Sequence, residues 1–117
     1  RQGLHQDALR RPPGVASGVA TVLFFLDDFG AENDATGLIP GSHLWPHALP
    51  KPQQQPLASH PKEIQVAGQA GDALIFDGSL WHRGRENHSG APRRAIQVQF
   101  SALDQMPPSA GTILSES

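Results

Sequence analysis

The sequence predicts an all-β domain of the sandwich or jelly-roll class. Glycine and proline are abundant, with 12 and 11 in 117 residues, and both break a chain into turns and short strands. The apolar stretches are short, rich in Val, Ile, Leu and Phe, and lack a helical period. Turn chemistry recurs between them, as expected where short strands follow one another in a sandwich or jelly roll.

Taken in order, Arg1 to Pro13 is polar and turn-rich and contains His5 and Asp7. Val15 to Asp27 reads as a strand buried on both faces, because it is nearly continuously apolar. Asp28 to Ala35 is a polar loop. Leu38 and Ile39 form an apolar stub before the turn signal Pro40-Gly41-Ser42. Trp45 to Pro61 carries Pro46, Pro50, Pro52, Pro56 and Pro61 with three consecutive glutamines, and is expected to be an exposed loop. Glu63 to Ala67, Ala73 to Phe76 and Leu80 to Arg83 read as short strands. Arg93 to Leu103 alternates and reads as the last strand. The tail after Asp104 is expected to be frayed.

Composition excludes several functional classes. The formal net charge is −2 and no run of Lys or Arg exceeds two residues, which is not the footprint of a nucleic-acid binder. The absence of cysteine excludes a disulfide framework and thiolate metal ligation. The apolar stretch Val19 to Leu26 is too short to span a membrane. No signal peptide is visible, and a cytoplasmic protein without membrane or nucleic-acid partners is expected. Oligomeric state is left open.

The chain has six histidines, and a pattern singles out two of them. His5 and Asp7 lie two residues apart, so on an extended segment both side chains point to one side. A third ligand from a distant strand, His82, would complete a set of two imidazoles and one carboxylate. That facial arrangement leaves coordination positions open and suits Fe(II) in oxygenases. The other histidines have plainer readings: His43 supports the turn after Pro40, and His47, His60 and His88 are solvated. Asp72 satisfies turn amides, Asp27 and Asp28 end a strand in solvent, and Trp45 and Trp81 pack.

Four segments in order resemble the phytanoyl-CoA dioxygenase family. They are Leu4-His5-Gln6-Asp7; the run from Glu32 through Pro40-Gly41-Ser42-His43; Gly71-Asp72-Ala73-Leu74-Ile75-Phe76 followed by Trp81-His82; and Asn87 with Pro92-Arg93-Arg94-Ala95-Ile96. The resemblance spans most of residues 4 to 100. It implies a double-stranded β-helix, the jelly roll, incomplete here and lacking the N-terminal strand and covering helices. Residues 1–104 would form this partial oxygenase domain, with a Pro-rich loop at 45–62, and residues 105–117 a C-terminal tail.

The same resemblance implies Fe(II) held by His5, Asp7 and His82, with 2-oxoglutarate as co-substrate. Arg93, eleven residues after His82, matches the family's co-substrate arginine. Thr21 lies on the strand where some members place a serine near 2-oxoglutarate. Asp34 stands where the family usually has glycine, and Gly84 where many members have a hydroxyl. The implied reaction consumes O2, hydroxylates a small organic substrate and releases succinate and CO2. Asp7 argues against halogenation, since in related halogenases a small residue replaces the acidic ligand.

Two other readings compete. A cupin-type metal enzyme or small-molecule binding module would share the barrel, but usually shows His-x-His with a later Glu, whereas here the pair is His5 and Asp7. A metal-free structural jelly roll leaves the ordered set His5, Asp7, His82 and Arg93 without a purpose. Alternation on the last strand places Arg93, Ala95, Gln97 and Gln99 on one face and Arg94, Ile96, Val98 and Phe100 on the other, so Arg93 is expected to face the cavity. Val22, Phe24, Leu26, Ile96, Val98 and Phe100 are expected to form an exposed apolar face.

Overall fold

The structure is a computed structural model that describes residues 2–8, 17–30, 35–84, 87, 89–102 and the backbone of 112–115. The readings made for His88 and Asp34 lie outside the described residues. Among the described residues there are seven strands: β1 (Val19–Phe25), β2 (Gly37–Leu38), β3 (Ile64–Gln65), β4 (Ala73–Asp77), β5 (His82–Arg83), β6 (Ala95–Ser101) and β7 (Thr112–Ser115). They form two antiparallel sheets, a four-stranded one in the order β4-β1-β6-β7 and a three-stranded one in the order β3-β2-β5. This two-sheet, all-β arrangement is that of a jelly roll.

β1 is central because its Val, Leu and Phe residues fit a pleated surface covered on both sides. It pairs with β4 through Val22↔Ile75 and with β6 through Val22↔Val98 and Leu23↔Gln97. One face of the large sheet turns toward the small sheet. Leu23, Phe25, Phe76 and Ala95 from that face pack with Leu38, Leu80, Phe29 and Ala35 into one core. Phe25 and Phe29 stack with centroids 4.1 Å apart.

The opposite face of the large sheet is apolar but thinly covered. Phe24, Leu26, Ile75 and Phe100 are exposed, while Ile96 and Val98 are half-buried. Val22 departs from the expected exposed set: it is buried, flanked across the sheet by Ile75 and Val98.

Two expectations are corrected. The segment after Asp104, expected to be frayed, contributes β7, which pairs with β6 from Ala95↔Ser115 to Val98↔Thr112. Strand pairing is non-local, so a polar flanking sequence conceals it. The Pro-rich stretch is not wholly an exposed loop. It contains a 3-10 turn over Lys51–Gln54, and Leu49 is buried in a second core with Leu4, Ile39 and Trp81.

Candidate metal centre

The segment carrying His5 and Asp7 lies alongside β5 and the turn before it. His5 and His82 form an antiparallel bridge, with His5 N–H donating to His82 O at 2.9 Å and His82 N–H to His5 O at 3.0 Å. Two residues on, the N–H groups of Asp7 and Ala8 both donate to Gly78 O, at 2.8 and 2.9 Å. Leu4, 1% exposed, anchors the front of the segment. Burying such a side chain contributes about 1.5–3 kcal/mol. The extended geometry turns Gln6 the other way, where its Nε2 donates to Ser79 O at 2.6 Å.

The side chains of His5, Asp7 and His82 therefore converge. One nitrogen from each histidine and one carboxylate oxygen lie within 4.8 Å of one another. His82 Nε2 is 3.2 Å and His5 Nε2 is 3.8 Å from Asp7 Oδ1. Cis ligands on an ion with bonds of about 2.1 Å sit about 3 Å apart; the His82–Asp7 separation is close to that spacing and the His5–Asp7 separation is wider.

The remaining polar atom of each of these three side chains is occupied. His5 Nδ1 donates to Gly3 O at 2.9 Å and His82 Nδ1 to Leu80 O at 2.8 Å. Carbonyls can only accept, so each Nδ1 carries a proton and each Nε2 is turned toward Asp7. Thr21 Oγ1 donates to Asp7 Oδ2 at 2.8 Å, leaving Oδ1 toward the histidines. Burial pushes the Asp7 carboxyl up, but the His82 and His5 imidazoles and the Thr21 hydroxyl beside it together outweigh it, and the carboxyl is held below its usual range.

Beside the triad is a cavity of about 160 Å³ between the two sheets. Leu23 and Phe76 supply apolar wall, and Gln2, Thr36 and Gln97 supply polar groups. Gly84 also lines it, and its N–H donates to Gln2 Oε1 at 2.8 Å. At the position where many members carry a hydroxyl, this chain thus places a backbone amide and a glutamine side chain.

Arg93 is 4% exposed. Its guanidinium lies over Phe29, 5.9 Å from the ring centroid, and not in the cavity lining. It precedes Gln97 by four residues, about 13 Å along an extended strand, on the same parity. Arg94 is exposed and pairs with Asp27 through Nε and Nη2, at 2.9 and 3.1 Å. Thr21 is 1% exposed, and its hydroxyl is spent on Asp7 rather than on the cavity.

The plainer readings are placed as follows. His43 and His47 are exposed and His60 is half-buried. Asp72 Oδ2 accepts the Gln69 N–H at 2.8 Å, and Asp28 Oδ1 accepts the Ala70 N–H at 2.9 Å. Trp81 packs in the second core, with Trp45 against it. Sequence reasoning missed two features. The Thr21–Asp7 bond has no local signal. The ion pair of Arg83 with Glu63 joins residues twenty apart.

The two-sheet jelly roll thus brings two imidazoles and one carboxylate together beside a cavity. A family model for phytanoyl-CoA dioxygenase (PhyH) matches residues 1–95, and the chain belongs to that family of oxidoreductases. It is 36% identical over 101 residues to the uncharacterized protein Rv1501 of Mycobacterium tuberculosis, covering 86% of this chain and 35% of that protein. It is 43% identical over 78 residues to the dioxygenase trt7 of Aspergillus terreus, covering 67% and 25%. Among solved structures, AviO1 from Streptomyces viridochromogenes Tue57 superposes with a TM-score of 0.71 at 25% identity, covering 91% of this chain and 45% of that one. The chain spans about a third of the length of Rv1501 and a quarter of that of trt7. Among the described residues, no helix is long and apolar enough to cross a membrane.

Proposed function

We propose that this chain forms the metal- and co-substrate-binding part of a non-haem Fe(II) and 2-oxoglutarate-dependent dioxygenase. The observation that carries the reading is the convergence of His5 Nε2, His82 Nε2 and Asp7 Oδ1, with the other polar atom of each group held by Gly3, Leu80 or Thr21. In this reading His5, Asp7 and His82 hold the iron. When bound, the metal and 2-oxoglutarate supply the oxidising chemistry, with O2 consumed and succinate and CO2 released.

The chain's own residues then have defined tasks. The two backbone carbonyls fix both imidazole tautomers, and Thr21 fixes the carboxylate rotamer. Arg93, buried at the approach to β6, anchors the far carboxylate of 2-oxoglutarate with a planar pair of donors. Leu23 and Phe76 exclude water from one wall, and Gln97 and Thr36 offer hydrogen bonds to an organic ligand. The proposed outcome is hydroxylation of a small organic substrate in the cytoplasm. Asp7 supports hydroxylation over halogenation, because it keeps the carboxylate site from an added anion.

The test is an anaerobic titration of Fe(II) and 2-oxoglutarate into the chain, followed by the weak visible charge-transfer band. The wild-type chain is expected to develop the band and Asp7→Ala to lose it. A band of equal strength in Asp7→Ala overturns the ligand assignment.

A further inference from the structure

Among the described residues the largest fully buried side chain is that of Arg83, with 0% exposure, and it sits immediately after His82 on β5. Its Nε and Nη2 donate to Glu63 Oε2 and Oε1 at 2.8 and 2.6 Å. Its Nη1 donates to the carbonyl of Pro56 at 3.2 Å. The Glu63 side chain is itself only 5% exposed. The carboxylate lies across β2 at Gly37, the Cα partner of Arg83, where a Cβ would come 2.1 Å from Glu63 Oε2.

The Pro-rich strap that Arg83 grips through Pro56 also bears on the other histidine. Leu49 packs with Leu4, the residue before His5. A Cβ on Gly3 would meet the Gln54 carbonyl oxygen at 1.9 Å, and the carbonyl of Gly3 is the one that holds His5 Nδ1. Gln54 Nε2 in turn donates to Leu49 O at 2.7 Å, which ties the strap to itself. Leu49 and Gln54 of the strap therefore touch the residues just before His5, and Pro56, two residues on, is held by the residue just after His82.

We propose that Arg83 is a positioning residue for the metal centre: paired with Glu63, it latches the Pro-rich strap against the segments that carry His5 and His82, and so sets the spacing of the two imidazoles. This rests on the reading of His5, Asp7 and His82 as metal ligands. A buried ion pair is a poor source of net stability, because removing both charges from water offsets most of their attraction. Geometry is what it supplies here. The guanidinium is planar and makes three bonds in fixed directions, to two elements distant in sequence. A lysine would keep the charge but not the fork.

The experiment is a Co(II) titration of the full chain, read by visible d–d absorption, alongside the thermal midpoint of the metal-free protein. The variants are Arg83→Lys and the double substitution Arg83→Met with Glu63→Leu, which removes both charges and leaves neither stranded. Both are expected to keep a cooperative metal-free transition, to bind Co(II) about 10- to 100-fold more weakly, and to show altered d–d bands. Folded variants with wild-type affinity and spectrum overturn the proposal. If the double variant does not fold, Arg83→Lys alone decides between the same two outcomes. A wild-type chain that leaves Co(II) free overturns the metal-centre reading itself, which is a separate and recognisable result.

Discussion

Thr21 Oγ1 donates a 2.8 Å hydrogen bond to Oδ2 of Asp7. The buried hydroxyl belongs to the central strand of the large sheet, and the carboxylate to a segment outside that sheet. The bond selects which carboxylate oxygen faces the histidines. Replacing Thr21 with Val keeps the shape and deletes the donor. Affinity for Mn(II) or Co(II) is expected to fall about 10-fold or more, in the range found for lost outer partners of metal ligands. Thr21→Ser is expected to retain most of the affinity. Equal affinity in Thr21→Val, measured by calorimetry, would show that the bond does not orient the ligand.

Metal binding should stabilise the fold, because the three donors meet only in the folded chain. Saturation at 100 times the dissociation constant contributes about 2.7 kcal/mol. The thermal midpoint is expected to rise with Mn(II) and to fall back on adding a chelator. Asp7→Ala is expected to show neither change. A metal-dependent shift that survives in Asp7→Ala would place the ion elsewhere.

The neighbours Arg93 and Arg94 should differ sharply. Arg93 is buried at 4% exposure, whereas Arg94 is exposed and engaged with Asp27. Arg93→Lys loses the planar fork and is expected to weaken 2-oxoglutarate binding at least about 10-fold. Arg94→Lys is expected to change it by less than about 2-fold. Titrating the metal-loaded variants with 2-oxoglutarate checks this, and a larger loss at Arg94 reverses the assignment.

The Asp27–Arg94 pair should also make a pH-dependent contribution. The Arg94 side chain and backbone N–H bond the Asp27 carboxyl and hold it below its ordinary value of 3.8, against a smaller opposing effect of burial. A depressed carboxyl adds stability that is fully present above the ordinary value and is lost as pH falls through the depressed one. The midpoint difference between wild type and Asp27→Asn is therefore expected to be constant near neutrality and to shrink below pH 3.8. A difference that grows on acidification has the wrong sign for this pair.

The outer face of the large sheet predicts a solubility effect. Phe24, Ile75 and Phe100 are 43%, 68% and 58% exposed on one face of adjacent strands, an arrangement that favours association. Replacing all three with Thr keeps strand-compatible branching and removes apolar area. Light scattering is expected to show less aggregate, with Co(II) affinity unchanged. Aggregation equal to wild type would clear this face of the role.

The sequence by itself determined the fold class, most strand positions and the two-residue pairing of His5 with Asp7. These are local properties: side-chain alternation has a period of two, and Gly and Pro mark turns wherever they occur. Parity along the last strand put Arg93 and Arg94 on opposite faces and pointed Arg93 at the cavity, whereas the structure lays its guanidinium over Phe29, outside the cavity lining. Only the tertiary structure decided that Thr21 serves Asp7, that Arg83 reaches Glu63, that Leu49 is buried under the strap, and that β7 joins β6. Each of those depends on groups brought together from far apart in the chain. A sequence states which donors and acceptors exist, but their pairing follows from how the two sheets pack, and burial then makes each pairing obligatory, because an unmet polar group away from water costs free energy that no local pattern reveals.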